Sequence, residues 1–160
     1  MTPIHEIHAE GNRNHIYVKR EDLLPFSFGG NKVRIAKEFF DDMAATGKDC
    51  MVGYGNARSN LSRALANICC SGGVECHIIS PADEDGTRMK TANSRIGSIC
   101  NAEFRYCLKE DVAGTVEAVL AECRAKGKEP YYIYGDKHGC GNEAVPVRAY
   151  VKAYEEIRCQ

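Results

Sequence analysis

No run of apolar residues reaches the ~20 needed to cross a bilayer, and the polar stretch from Met1 to Asn14 lacks the apolar centre of a signal peptide. Neither membrane insertion nor secretion is expected, and the default compartment is the cytoplasm. Charge of one sign is also missing: 21 Lys and Arg stand against 22 Asp and Glu, a formal net charge of −1. With no basic run interleaved with aromatics, nucleic acid is not an expected partner. Nine cysteines are many for 160 residues, yet no CxxC pair occurs, so the spacing argues against a zinc site and no metal is expected. An odd number spread through helix and strand patterns suits a disulfide framework poorly; reduced, mostly buried thiols are the expectation. Repeats and low-complexity runs are absent too. What remains is a 44% apolar chain of mixed charge, long enough to bury one core.

The apolar pattern alternates between helix and strand. Val33, Ala36, Phe40 and Met43 share a helical face closed by Gly47, and Cys50 to Tyr54 reads as a buried strand. Leu61, Ala64, Leu65, Ile68 and Cys69 predict a helix stopped by Gly72-Gly73, followed by a strand from Val74 to Ser80. Pro81 to Gly86 reads as a loop. A weaker helix carries Met89, Ala92 and Ile96, and Ala102 to Leu108 alternates as a half-buried strand. Val112, Val116, Val119, Leu120 and Cys123 predict the next helix, Tyr131 to Tyr134 a fourth strand, and Asn142 a cap for a last helix reaching Ile157. Such alternation implies right-handed crossovers and an α/β fold with an open parallel sheet flanked by helices. Ligands then belong at the carboxyl ends of the strands, in the turns after Tyr54, Ser80 and Tyr134.

Two segments carry candidate chemistry. Ser27-Phe28-Gly29-Gly30-Asn31-Lys32-Val33-Arg34 sets a lysine at a helix entry directly after two glycines, which permit close approach of another group. A lysine there is usually a solvated charge, but the positive helix end disfavours an ammonium and suits an amine that condenses with a carbonyl. After the first predicted strand, Gly53-Tyr54-Gly55 gives a permissive turn and Ser59 stands where an N-cap belongs. Free N–H groups of Asn60 and Leu61 could receive a carboxylate. His138 and Cys140, in the glycine-rich stretch Tyr134 to Asn142, read as surface-loop residues. Gly53-x-Gly55 is a poor dinucleotide fingerprint, because the third glycine position is Arg58.

Taken in order, Thr2-Pro3-Ile4, Lys19-Arg20-Glu21-Asp22-Leu23, Gly29-Gly30-Asn31-Lys32-Val33-Arg34 and Ser59-Asn60-Leu61-Ser62-Arg63 resemble the opening half of a pyridoxal-phosphate enzyme of the tryptophan-synthase-β type (fold type II). The resemblance is to the branch with D-cysteine desulfhydrase and 1-aminocyclopropane-1-carboxylate (ACC) deaminase, in which a "KREDL" strand precedes "GGNKxRK". It implies that pyridoxal phosphate is the cofactor and that Lys32 is its Schiff-base lysine and proton carrier. It also implies that Ser59 holds or protonates substrate and that Asn60 binds the cofactor ring oxygen. Arg58 and Leu61 depart from the branch's usual glutamine and histidine, which leaves substrate recognition open.

The resemblance further implies a division into residues 1–46, a segment of the large domain carrying the lysine helix, and residues 47–160, an α/β small domain. It covers nearly all of this chain but only part of the family's. The Gly-rich phosphate cradle and the partner of the ring nitrogen are therefore expected from a missing C-terminal part or a complementing second chain. A lyase or deaminase of a small amino acid, giving an oxo acid and ammonia, is the leading expectation, with a homo-oligomer or a two-chain assembly. The alternatives are a cysteine-synthase-like β-replacement enzyme and a non-catalytic half-protein that binds a partner or small ligand. Exposed apolar surface is expected around the N-terminal segment and Phe39-Phe40.

Overall fold

The computed structural model describes residues 1–8, 10–11, 13–82 and 90–160. A hairpin of β1 (Ile4–Ile7) and β2 (Ile16–Lys19) leads into helix α1 (Asn31–Ala45). Then follow β3 (Cys50–Tyr54), α2 (Asn60–Gly72), β4 (Glu75–Pro81), α3 (Ala92–Ile99), β5 (Glu103–Cys107), α4 (Val112–Ala125), β6 (Pro130–Tyr132) and α5 (Ala144–Arg158). The expected Pro81–Gly86 loop and Met89 lie largely outside the described residues.

Strands β3 to β6 form one parallel sheet in the order β5-β4-β3-β6. Its layering follows from the handedness of the crossovers. Steps from β3 to β4 and from β4 to β5 run one way and set α2 and α3 on one face. The return from β5 to β6 spans the sheet and sets α4 against the other. Direction reverses between β3 and β6, the position where open α/β sheets take ligands beyond their carboxyl ends. Residues therefore alternate between two apolar layers. Gly53 and Ile78 meet Leu65 of α2, while Cys50 on the opposite face meets Cys123 of α4.

Gly53 is a packing glycine within β3 rather than part of a turn. A methyl there would stand 2.8 Å from Ile78 Cδ1 and 3.0 Å from Leu65 Cδ1, and both side chains are fully buried. Gly53→Ala is expected to cost about 1–3 kcal/mol by overpacking, read from urea unfolding. An unchanged midpoint would show that the two side chains give way.

Several boundaries and faces differ from expectation, each for a local reason. The buried apolar stripe of α1 is Ile35, Ala36, Phe39 and Met43, which keeps Ala36 and Met43 of the expected set and replaces Val33 and Phe40. Phe40 instead lays its ring on Gly72, where a Cβ would come within 2.5 Å of Cζ. The Phe39-Phe40 region is thus covered, whereas the N-terminal segment does expose apolar side chains at Met1, Ile7, Ile16, Tyr17, Leu23 and Phe28, as do Ile99, Leu108 and, on α5, Val147, Tyr150, Val151, Tyr154 and Ile157. Asn142 does not cap α5; its amide donates to the Tyr132 carbonyl at 3.0 Å, and Glu143 precedes the helix with no side-chain cap. Cys70, Cys140 and Cys159 are exposed rather than buried.

The Lys19–Leu23 block is not a strand throughout. Strand β2 ends at Lys19, and Glu21–Leu23 form a single 3-10 turn. The turn places Glu21 in a part-buried ion cluster that joins both chain ends. Arg34 of α1 reaches Glu21 and, bidentate at 2.7 and 2.8 Å, Glu156 of α5. Lys19 meets Glu156 at 3.0 Å and the Thr2 carbonyl at 2.7 Å, and the Thr2 hydroxyl donates to Glu21 at 2.7 Å.

Hydrogen bonds from Arg34, helped by Lys19, hold the Glu156 carboxyl at about 2, below its ordinary 4.5. A depressed carboxyl contributes stability above its unfolded value and loses it as pH falls through its folded value. Unfolding free energy is therefore expected to decline between about pH 4.5 and pH 2. Glu156→Gln should flatten this decline in acid titrations followed by circular dichroism; an unchanged slope would count against the cluster.

Candidate functional site

The approach to α1 is conformationally costly. Ser27, Phe28, Gly29 and Gly30 take φ of 48, 59, 68 and 90° in succession, and the first two are residues that rarely adopt positive φ. Gly29 has no substitute: a Cβ would stand 2.6 Å from the Asp22 carbonyl oxygen and 2.8 Å from that of Glu21. The Gly30 N–H donates to the Glu21 carbonyl at 2.7 Å, folding the loop over the 3-10 turn. Gly30 also takes the cap position of α1 and offers no side chain to its free N–H groups. Backbone strain of this kind persists where the surroundings enforce it, and it clusters at functional sites.

Lys32 follows in the first turn of α1 and lines a cavity of 220 Å³ with Asp22, Phe28, Gly29, Asn60 and Arg63 among its walls. Among the described residues Lys32 has no ion-pair partner, whereas Lys37 pairs with Asp41 at 2.7 Å and Lys48 with Glu129 at 3.0 Å. The cavity is smaller than the ~300–1,000 Å³ of a complete small-molecule pocket. Phe28 stands at its rim, 79% exposed, with the Arg63 guanidinium 6.0 Å from its ring centre.

Asn60 opens α2 on the far wall. Its Oδ1 accepts from Arg63 Nη1 at 2.9 Å and from Asn93 Nδ2 at 3.0 Å. Those two donors fix which end of the amide is oxygen, and the Asn60 NH2 group makes no hydrogen bond among the described residues. Arg63 also reaches the Asn93 oxygen at 3.1 Å and the Gly29 carbonyl at 3.3 Å, and Asn93 donates to the Arg58 carbonyl at 2.8 Å. Arg63 thus ties α2, α3 and the glycine loop together. Sequence reasoning passed over it, although its i, i+3 spacing from Asn60 was a usable signal; Asn93 lies too far along the chain to be foreseen.

The other expected site residues are placed differently. Ser59 caps α2, its Oγ accepting from Ser62 N at 3.1 Å. Gly55 is glycine because a Cβ would come within 2.6 Å of both Ser59 Oγ and Ser62 Oγ. Ser62 Oγ is buried with no partner among the described residues. The Leu61 side chain packs against the core, leaving only its backbone N–H for a ligand. Lys32 and Asn60 are therefore brought together on one cavity, with Ser59 and Leu61 behind them at the mouth of α2. His138 and Cys140 are exposed in a loop whose N–H groups donate to the Asp136 carboxylate at 2.8 and 3.0 Å.

An amine with no ion pair among the described residues, beside an amide whose NH2 group is not otherwise bonded, fits a cofactor that carries an aldehyde next to an acidic ring hydroxyl, and pyridoxal phosphate carries both. Lys32 would hold the aldehyde carbon, and Asn60 would donate to the ring oxygen.

Comparison with known proteins agrees. The family model described as "Pyridoxal-phosphate dependent enzyme" matches residues 1–160. The chain is 31% identical to the 1-aminocyclopropane-1-carboxylate deaminase of Methylobacterium sp. (strain 4-46), over 94% of this chain and 46% of that protein. It is 30% identical to the enzyme of the same name from Bradyrhizobium diazoefficiens, over 99% and 50%. A crystal structure of an ACC deaminase homologue superposes with a TM-score of 0.77 at 23% identity, covering 99% of this chain and 48% of that one. The chain spans about half the length of the curated relatives it matches. Among the described residues no helix is long and apolar enough to cross a membrane. With the family model matching from the first residue to the last, the chain belongs to the pyridoxal-phosphate-dependent enzyme family.

Proposed function

We propose that this chain supplies the cofactor-lysine side of a cytoplasmic lyase or deaminase of a small amino acid, of the kind that opens ACC or removes the thiol of D-cysteine. The observation that carries the reading is that Lys32 and the Asn60 amide, its oxygen fixed by Arg63, line one cavity. Residues 1–46 form the lysine-bearing part of the large domain and residues 47–160 the small domain.

When bound, the cofactor supplies an electron sink for the substrate carbon that loses a proton. The chain's own groups do the rest. Lys32 Nζ would hold the cofactor and, as a free amine, would move a proton at the substrate α or β carbon. Asn60 donates to the ring oxygen, and Arg63 and Asn93 keep its amide from turning. The N–H groups of Asn60 and Leu61, at the positive end of α2, receive the substrate carboxylate, with the Ser59 hydroxyl beside them. Ser59 serves the helix first and the substrate second, since its Oγ is the α2 cap.

Asn60→Ala should weaken cofactor binding by about 10- to 150-fold, the equivalent of one hydrogen bond to a charged group. Ser59→Ala should cost about 1 kcal/mol of stability through the lost cap. Spectroscopic titration with pyridoxal phosphate and urea unfolding check the two. Undiminished affinity in Asn60→Ala would remove the amide from the site.

The two substrate readings separate by product: both substrates give an oxo acid and ammonia, while D-cysteine alone also gives sulfide. Turnover of ACC without sulfide release from D-cysteine would assign deaminase chemistry. Neither product from either substrate, in a protein that holds the cofactor on Lys32 and is completed by the C-terminal part or second chain, would exclude both. The exposed apolar residues of α5, Val147, Tyr150, Val151, Tyr154 and Ile157, support an assembled protein.

A further inference from the structure

A second cluster lies under α4, on the sheet face away from α2. The register pairs Cys50 with Glu75 and Val52 with His77, so Cys50 and His77 point from neighbouring strands into the same layer, where α4 lowers Cys123 between them. Cys50 Sγ and Cys123 Sγ are 3.6 Å apart, and a ring nitrogen of His77 lies within 4.8 Å of both. All three are fully buried, with exposures of 0, 0 and 1%. We propose that Cys50, Cys123 and His77 form a structural zinc site that clamps α4 to the sheet. This site is independent of the Lys32 cavity and of the function read from it.

Four observations carry the assignment. Two sulfurs held by one tetrahedral zinc at 2.3 Å stand about 3.8 Å apart, close to the separation found and far from the ~2.0 Å of a disulfide. Thiolate and imidazole donors select zinc among the common divalent ions. His77 Nδ1 is buried without a hydrogen bond, an open donor position on a side chain that the fold keeps from water.

Carboxylates also stand at both ring nitrogens: Glu75 Oε1 is 2.8 Å from Nε2, and Glu103 Oε2 is 3.4 Å from Nδ1. With Nδ1 as the ligating nitrogen, Nε2–H keeps Glu75 as its acceptor, as zinc-bound histidines require. The carboxylate beside the ligating nitrogen is then placed to serve as fourth donor. The ligands come from the first residue of β3, the third of β4 and the last turn of α4. Separations of 27 and 46 residues match no short zinc motif, and only the parallel register brings them together.

The test uses the full chain without pyridoxal phosphate, stripped with chelator under reductant and titrated with cobalt(II) and then zinc(II). One equivalent of cobalt with thiolate charge-transfer absorption, displaced by zinc, and a melting temperature raised by zinc are expected. Cys50→Ser and Cys123→Ser should lower affinity at least 100-fold, whereas Cys76→Ser, a buried thiol on the opposite sheet face, should leave it unchanged. The zinc-dependent melting shift of the unaltered protein keeps the proposal open to refutation should either serine variant fail to fold. Absence of that shift, cobalt binding that survives in Cys50→Ser, or a Cys50–Cys123 disulfide in freshly prepared protein without cobalt absorption would each overturn it.

Discussion

Arg34→Ala is expected to lower folding stability by about 3 kcal/mol. The guanidinium is 16% exposed and joins Glu21, 16% exposed, to Glu156, 22% exposed. Removing it leaves two carboxylates facing one another in a part-buried space. Breaking such a pair costs ~3–5 kcal/mol, because the remaining charge loses its compensation; the partial exposure here places the effect at the lower end. The same cluster draws together the hairpin, α1 and α5, so the loss should lower the unfolding midpoint without creating a second transition. Urea denaturation followed by circular dichroism checks it. A loss below 1 kcal/mol would show that the pairs are screened by water, and a charge-reversed pair, Arg34→Glu with Glu156→Arg, should recover part of the stability.

Lys32→Ala carries the largest functional effect. Loss of a positioned proton carrier costs ~10²- to 10⁴-fold, and loss of the covalent attachment adds to it. Stability should change little, since Lys32 makes no ion pair among the described residues and sits at a cavity wall rather than in the core. Turnover assays of the completed enzyme, with its C-terminal part or second chain, beside thermal melts of this chain separate the two effects. Retained turnover in a folded Lys32→Ala protein would move the chemistry elsewhere.

Helices and strands of the parallel sheet were legible because their apolar patterns are strong and their stops are glycines. Gly73 takes φ of 67° at the end of α2, as its position after an apolar stripe suggests. Cys50 to Tyr54 is buried on both faces and reads as a continuous apolar run. The β1–β2 hairpin was not legible, since both its strands are short and largely exposed. Nor was the division of labour within the matched motifs. Thr2, Lys19, Glu21 and Arg34 read as parts of one site signature, yet the fold gathers them into a structural ion cluster. Lys32 and Asn60 alone of the named site residues reach the cavity. Which side of a helix a charged residue serves depends on partners more than a hundred positions away, as with Arg34 and Glu156, and local pattern carries no record of them. The Cys50, His77 and Cys123 cluster was hidden for the same reason.

Lys32 is the amine expected to take the cofactor. The direct measurement is to incubate the unaltered chain with excess pyridoxal phosphate, reduce with borohydride, and map the labelled peptide by mass spectrometry. Label concentrated on Lys32 is the expected result, because it is the lysine that faces the cavity without an ion-pair partner. Label concentrated on Lys37 or Lys48, or spread evenly over the exposed lysines with Lys32 unmodified, would contradict it.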